Sequence, residues 1–224
     1  MSLNKLAKVS LLTLLFASLL PLQAYAHSQL TSSLPVANSA LTYRPAKLFI
    51  TFNEKVKLSK NSLQLIDAKG KVLYTNKNEG EDSRFELPTP KGVSKGLFAL
   101  RYSVLSPDGH RVSELLPFAL NYPNSKNTTN VTLALTNTKG EKLEMNCKCK
   151  EGLSQLTLAT PAKKILLTLT NKTLKAPQYL ELKYNSSLFA SNLLLIAKGE
   201  YQIKVEIYKD DFNIESYSGN FKVK

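Results

Sequence analysis

Apolar residues in this chain recur at every second position, in short runs separated by turn residues. Successive side chains of a strand leave opposite faces, so this period selects β-structure; a helix would need apolar residues three and four apart. Lys47-Leu-Phe-Ile-Thr-Phe52 and Ser62-Leu-Gln-Leu-Ile66 alternate in this way, and Asp67-Ala-Lys-Gly70 turns the chain into Lys71-Val-Leu-Tyr74. Gly96–Leu105 is the longest candidate in the first half, and Glu114–Asn121 closes it. The second half carries eight more candidates: 131–137, 142–149, 155–159, 164–170, 179–184, 188–197, 201–208 and 216–223. No helix-period segment persists. The expected fold is all-β, a Greek-key β-barrel or sandwich followed by a second, β-sandwich-like domain of immunoglobulin-like kind.

Residues 1–26 have the zones of a secretory signal. Lys5 and Lys8 make a positive start, Val9–Leu20 is an apolar run, and Ala24-Tyr25-Ala26 offers small residues at the cleavage positions. Pro21 ends the run short of the roughly 20 apolar residues that a spanning helix needs. Cleavage after Ala26 is expected, leaving an exported protein that does not span a membrane. Residues 122–130, rich in Asn, Thr and Ser, read as a linker between units at 27–121 and 131–224.

The formal net charge of +13 falls by two when Lys5 and Lys8 leave. The remaining basic residues are mostly lysines scattered singly, with no arginine-rich block or interleaved aromatic platform. That pattern argues for a solvated face and against nucleic acid as a partner.

The chain has two histidines, His27 and His110. After cleavage His27 is the first residue, so its α-amine and imidazole can grip one metal ion together. His110 closes Ser106-Pro-Asp-Gly-His110, with the Asp108 carboxylate two residues earlier. Divalent copper prefers tetragonal arrays of nitrogen and oxygen, which this set supplies. The amine, with a reference pKa of about 7.7–8.0, must lose its proton to bind. A lone surface histidine and an Asp-Gly turn are each ordinary; both histidines falling at such positions favours a metal site at His27, Asp108 and His110.

These residues resemble the CopC copper-resistance proteins. The similarity lies in His27-Ser-Gln-Leu-Thr-Ser-Ser-Leu-Pro35, Lys47–Glu54, the Gly70-Lys-Val turn and Gly96–His110, and it covers residues 27–121. It implies a small periplasmic Greek-key β-barrel that binds Cu(II) through a histidine brace, with His27 and His110 as ligands and Asp108 as a ligand or close axial neighbour. It also implies that Glu54 is a ligand or an outer carboxylate, and that a membrane copper transporter of the CopD type is a partner. One departure stands out: the processed first unit has no methionine, so the methionine-rich Cu(I) site of some relatives is not expected there.

In the second unit Met145, Cys147 and Cys149 alternate, so a strand would send all three side chains to one face. They suit a Cu(I) site, since soft sulfur ligands select that ion; they also suit plain core positions or a disulfide between the cysteines. Three functions remain in view. The first is Cu(II) binding for sequestration, resistance or delivery, without catalysis. The second is a histidine-brace copper oxidase or mono-oxygenase, which the absence of tryptophan and a carboxylate at the copper position disfavour. The third is an adhesion or scaffold module without metal.

Overall fold

The computed structural model describes residues 28–123, 129–185 and 187–224. The expected leader, His27 and residues 124–128 of the expected linker lie outside them. Every element among the described residues is a strand. The first seven are β1 (Leu30–Leu34), β2 (Ser39–Leu41), β3 (Lys47–Asp67), β4 (Val72–Thr75), β5 (Gly80–Pro88), β6 (Gly96–Leu105) and β7 (Arg111–Leu120). They form one sheet in the order β1-β3-β6-β7-β2, with β4 and β5 also paired to β3. The two runs expected over 47–52 and 62–66 are arms of one long strand. Its register shifts between Thr51 and Val56 against β5, and between Leu58 and Leu63 against β6. Asn61 takes a positive φ of 63° within it, which a short polar side chain tolerates better than most.

The other eight strands are β8 (Thr129–Thr136), β9 (Lys142–Cys149), β10 (Gly152–Leu158), β11 (Lys164–Thr170), β12 (Gln178–Asn185), β13 (Leu188–Leu195), β14 (Gly199–Tyr208) and β15 (Ile214–Val223). Each of the eight expected runs is one of these strands. They are hydrogen-bonded in a closed ring, β10-β13-β12-β11-β14-β15-β8-β9, so the second β-rich unit of the expected all-β fold takes the form of a barrel. The ring closes between β15 and β8 at one pair, Ser218 with Thr136. Gly219 permits that approach: a Cβ there would stand 2.7 Å from Leu135 Cδ2 and 2.9 Å from the Ala134 carbonyl oxygen.

The two sheets share a buried seam. Along β6, Phe98, Leu100, Tyr102 and Val104 face the core of the first sheet, while Leu97 and Ala99 join the apolar cluster of the barrel. On β7, Leu116, Phe118 and Leu120 face the first core, and Leu115 and Ala119 face the barrel. Strands covered on both faces lose their polar alternation. Across the seam β12 and β13 pair only over Lys183–Asn185 with Leu188–Ala190, and beyond these residues they part. The first sheet meets the barrel at this opening. The Leu115 amide donates to the Pro177 carbonyl at 2.7 Å. Asn38 Oδ1 accepts from Gln178 Nε2 at 2.7 Å and from the Leu194 amide at 2.8 Å. Arg101 adds a bond from Nη1 to the Leu174 carbonyl at 2.8 Å.

Candidate metal centre

Three segments meet at the middle of β3, around residues 53–56. Leu30 pairs with Phe52, so residues 28 and 29 run on beside Asn53 and Glu54. Lys57 pairs with Leu105 in antiparallel sense, so the turn after β6 runs back along β3 toward the same residues. The chain start, Asn53-Glu54 and the Ser106–His110 turn are therefore neighbours by register.

The start of the described chain is firmly held. Ser28 is 4% exposed, and its hydroxyl donates to Glu54 Oε1 at 2.7 Å. The Gln29 amide donates to Asn53 Oδ1 at 2.7 Å, and the Asn53 amide donates back to the Gln29 carbonyl at 3.0 Å. Glu54 thus fixes the residue that follows His27. His27 itself lies outside the described residues.

The turn between β6 and β7 is closed by its own backbone. The Ser106 amide donates to the His110 carbonyl at 2.8 Å, and the Gly109 amide to the Ser106 carbonyl at 3.0 Å. Gly109 has a φ of 85°, the left-handed region that glycine enters without a Cβ penalty. Asp108 works twice: Oδ1 accepts from the His110 amide at 3.0 Å, and Oδ2 lies 3.2 Å from His110 Nδ1. The imidazole is 68% exposed and the carboxylate 22%, so the pair faces outward on a fixed base.

Inward from the turn the surroundings become apolar and then polar again. Phe52 and Tyr102 meet edge to face at 5.4 Å. The Tyr102 hydroxyl donates to Glu114 Oε2 at 2.8 Å. Burial raises the Glu114 carboxyl above its ordinary range, against the hydrogen bond from Tyr102, which lowers it. Burial likewise pushes the Tyr102 phenol up, with the Glu114 charge adding to the effect.

The structure pairs Asp108 with His110 and joins Glu54 to Ser28. Among the described residues no group of three or more His, Cys, Asp or Glu side chains is gathered as a metal site would gather them. Met145, Cys147 and Cys149 sit apart from this centre, in β9 of the barrel. Met145 and Cys147 are buried, Cys149 is half-buried, and the two cysteines form a disulfide. Sequence reasoning missed two serines. Ser28 carried a signal only in adjoining the expected terminus. Ser106, 3% exposed with a hydroxyl that has no hydrogen-bond partner among the described residues, carried none. No helix among the described residues is long and apolar enough to cross a membrane.

Residues 30–121 match the family model of the CopC domain. The chain is 30% identical over 113 residues to the copper transport protein CutJ of Bacillus subtilis (strain 168), which takes in 49% of this chain and 21% of that protein. It therefore spans about a fifth of that relative's length. It is 26% identical over 112 residues to the protein YobA of Escherichia coli (strain K12), covering 49% of this chain and 90% of that protein. Among solved structures, CopC from Methylosinus trichosporium OB3b aligns with 45% of this chain and 100% of its own, at 23% identity and a TM-score of 0.37.

Proposed function

We propose, from the premise that residues 30–121 form a CopC domain, that the chain is an exported copper-binding protein of the periplasm. Cleavage after Ala26 exposes His27, and the leader, the copper unit (27–121), the link (122–130) and the second unit (131–224) are its parts. Cu(II) is cargo, held by the His27 amine and imidazole and by the His110 imidazole. Asp108 neutralises part of its charge and steadies His110. An imidazole held through Nδ1 by a carboxylate coordinates through Nε2, and the carboxylate raises its basicity. Glu54 acts by anchoring Ser28, which sets the position of the terminus. Binding without catalysis, for sequestration, resistance or delivery to a membrane copper transporter of the CopD type, is the role that follows.

One observation carries this reading: the held chain start and the turn bearing the Asp108–His110 pair converge on the same stretch of β3. The match to CutJ, named a copper transport protein, supports the choice of metal. The test is a Cu(II) titration of correctly processed protein, followed by electron paramagnetic resonance. One equivalent should bind with nitrogen hyperfine structure, and one extra residue ahead of His27 should abolish tight binding. Unchanged affinity and spectrum in His27→Ala would overturn the reading.

A further inference from the structure

Beyond Met1, every sulfur atom of this chain lies within five consecutive residues, Met145 to Cys149. The first unit, by contrast, offers only nitrogen and oxygen donors. We propose that Met145, Cys147 and Cys149 form a second metal site, a redox-gated site for monovalent copper. As the Cys147–Cys149 disulfide it is closed; as a dithiol it presents two thiolates and one thioether.

The placement of the bridge argues that it is there to open. Both cysteines belong to β9, so the bond fastens no element to another. Pairing with β8 and β10 already holds the strand: Cys147 stands opposite Val131 and Leu156, and Cys149 opposite Thr129. The cross-link spans two residues of sequence, and a loop that short restricts the unfolded chain least of all. Opening it leaves the barrel's hydrogen-bonded ring intact.

The three sulfurs share the inward face. Met145, Cys147 and Cys149 alternate with Glu144, Asn146 and Lys148, all exposed. Met145 and Cys147 belong to the barrel's apolar cluster and Cys149 packs against it. Soft ligands in dry surroundings select Cu(I) over Cu(II) and over zinc with its preference for four ligands. Lys148 and Lys150 flank Cys149 and offset the charge of two thiolates on one monovalent ion.

Cys149, half-buried at the last position of β9, gives entry. A thiolate of a dithiol reductant attacks its Sγ, the disulfide bond breaks, and Cys147 leaves as thiolate. The reductant's second thiol then resolves the mixed disulfide. Two electrons and two protons pass to the cysteine pair, and the reductant ends as a disulfide. Cu(I) then displaces the thiol protons.

The test uses the full processed protein, reduced with dithiothreitol, desalted without oxygen and titrated against the Cu(I)–bicinchoninate complex. The reduced protein should withdraw one Cu(I) per chain and the oxidised protein none. Met145→Leu, close in volume, should keep the circular-dichroism spectrum and bind Cu(I) at least tenfold more weakly. Cys147→Ser with Cys149→Ser should bind none. His27→Ala should keep this Cu(I) uptake in full, which separates the site from the proposed Cu(II) centre. Three results would each overturn the proposal: no uptake by the reduced protein, equal uptake by the double serine variant, or reduction only under denaturing conditions.

Discussion

Asn38 joins the two sheets with a single side-chain oxygen. Oδ1 accepts from Gln178 Nε2 and from the Leu194 amide, and Leu194 lies in the part of β13 where β12 has turned away. Leu194 is 1% exposed and Gln178 3%, so water cannot replace the lost acceptor. Removing the carbonyl strands a buried amide, which costs about 1–3 kcal/mol, and Gln178 adds a smaller share because its side chain can turn. Asn38→Gly should therefore destabilise the protein by about 2–4 kcal/mol. Asn38 has a φ of 63°, where glycine is unstrained and alanine is not. Asn38→Ala should lose roughly 1 kcal/mol more. Asn38→Asp keeps both acceptor bonds and should lie closest to the wild type. Urea unfolding followed by circular dichroism and tyrosine fluorescence measures all three, the chain having 10 tyrosines and no tryptophan. A Gly variant within about 0.5 kcal/mol of the wild type, the range of ordinary surface changes, would refute the argument.

Other outcomes follow from single contacts. Gly219→Ala forces a methyl against Leu135 and the Ala134 carbonyl where the barrel closes, and should cost about 1–3 kcal/mol; an unchanged melting temperature would show that β8 can simply move. The Glu114 carboxyl, raised by burial, is held protonated more tightly in the folded state than in the unfolded chain. Its stabilising contribution is complete below the ordinary carboxylate value of 4.5 and is lost as pH rises through the raised one. Glu114→Gln should thus match the wild type in acid and gain on it toward neutrality, and parallel stability curves would exclude this. Ser28→Ala removes one hydrogen bond, of about 0.5–1.5 kcal/mol, from the segment that carries His27. Cu(II) affinity should fall about twofold to tenfold, as read by competition with a chelator of known affinity; no change would mean that Glu54 does not position the terminus.

The sequence reveals this fold wherever one face of a strand meets water. All eight barrel strands were legible, and β9, β10, β11, β14 and β15 alternate cleanly. The first sheet was harder. β5, with its sequence Gly-Glu-Asp-Ser-Arg-Phe-Glu-Leu-Pro, is mostly exposed and carries little apolar signal. β1 and β2 are short and half-covered. The bulges that make one strand of 47–67 arise from pairing with four different neighbours, which no local pattern encodes. The seam left only an indirect mark: Leu97–Leu100 and Leu193–Ala197 are unbroken apolar runs, and both prove to be buried on two faces. At the candidate centre, the pairing of Asp108 with His110 was legible because an Asp-Gly turn puts the two side chains two residues apart. The Ser28–Glu54 bond was not, since a serine's partner 26 residues away depends on register.

The outward face of β6 and β7 has a consequence for chains of other lengths. Leu97, Ala99, Leu115 and Ala119 stay dry only because a barrel follows in the same polypeptide. Cut free after residue 121, the first unit would offer a greasy panel to any neighbour and should self-associate. A chain of this architecture that ends there must carry polar side chains at those four places. Reading four residues would then tell a solitary module from one built to live beneath a permanent companion.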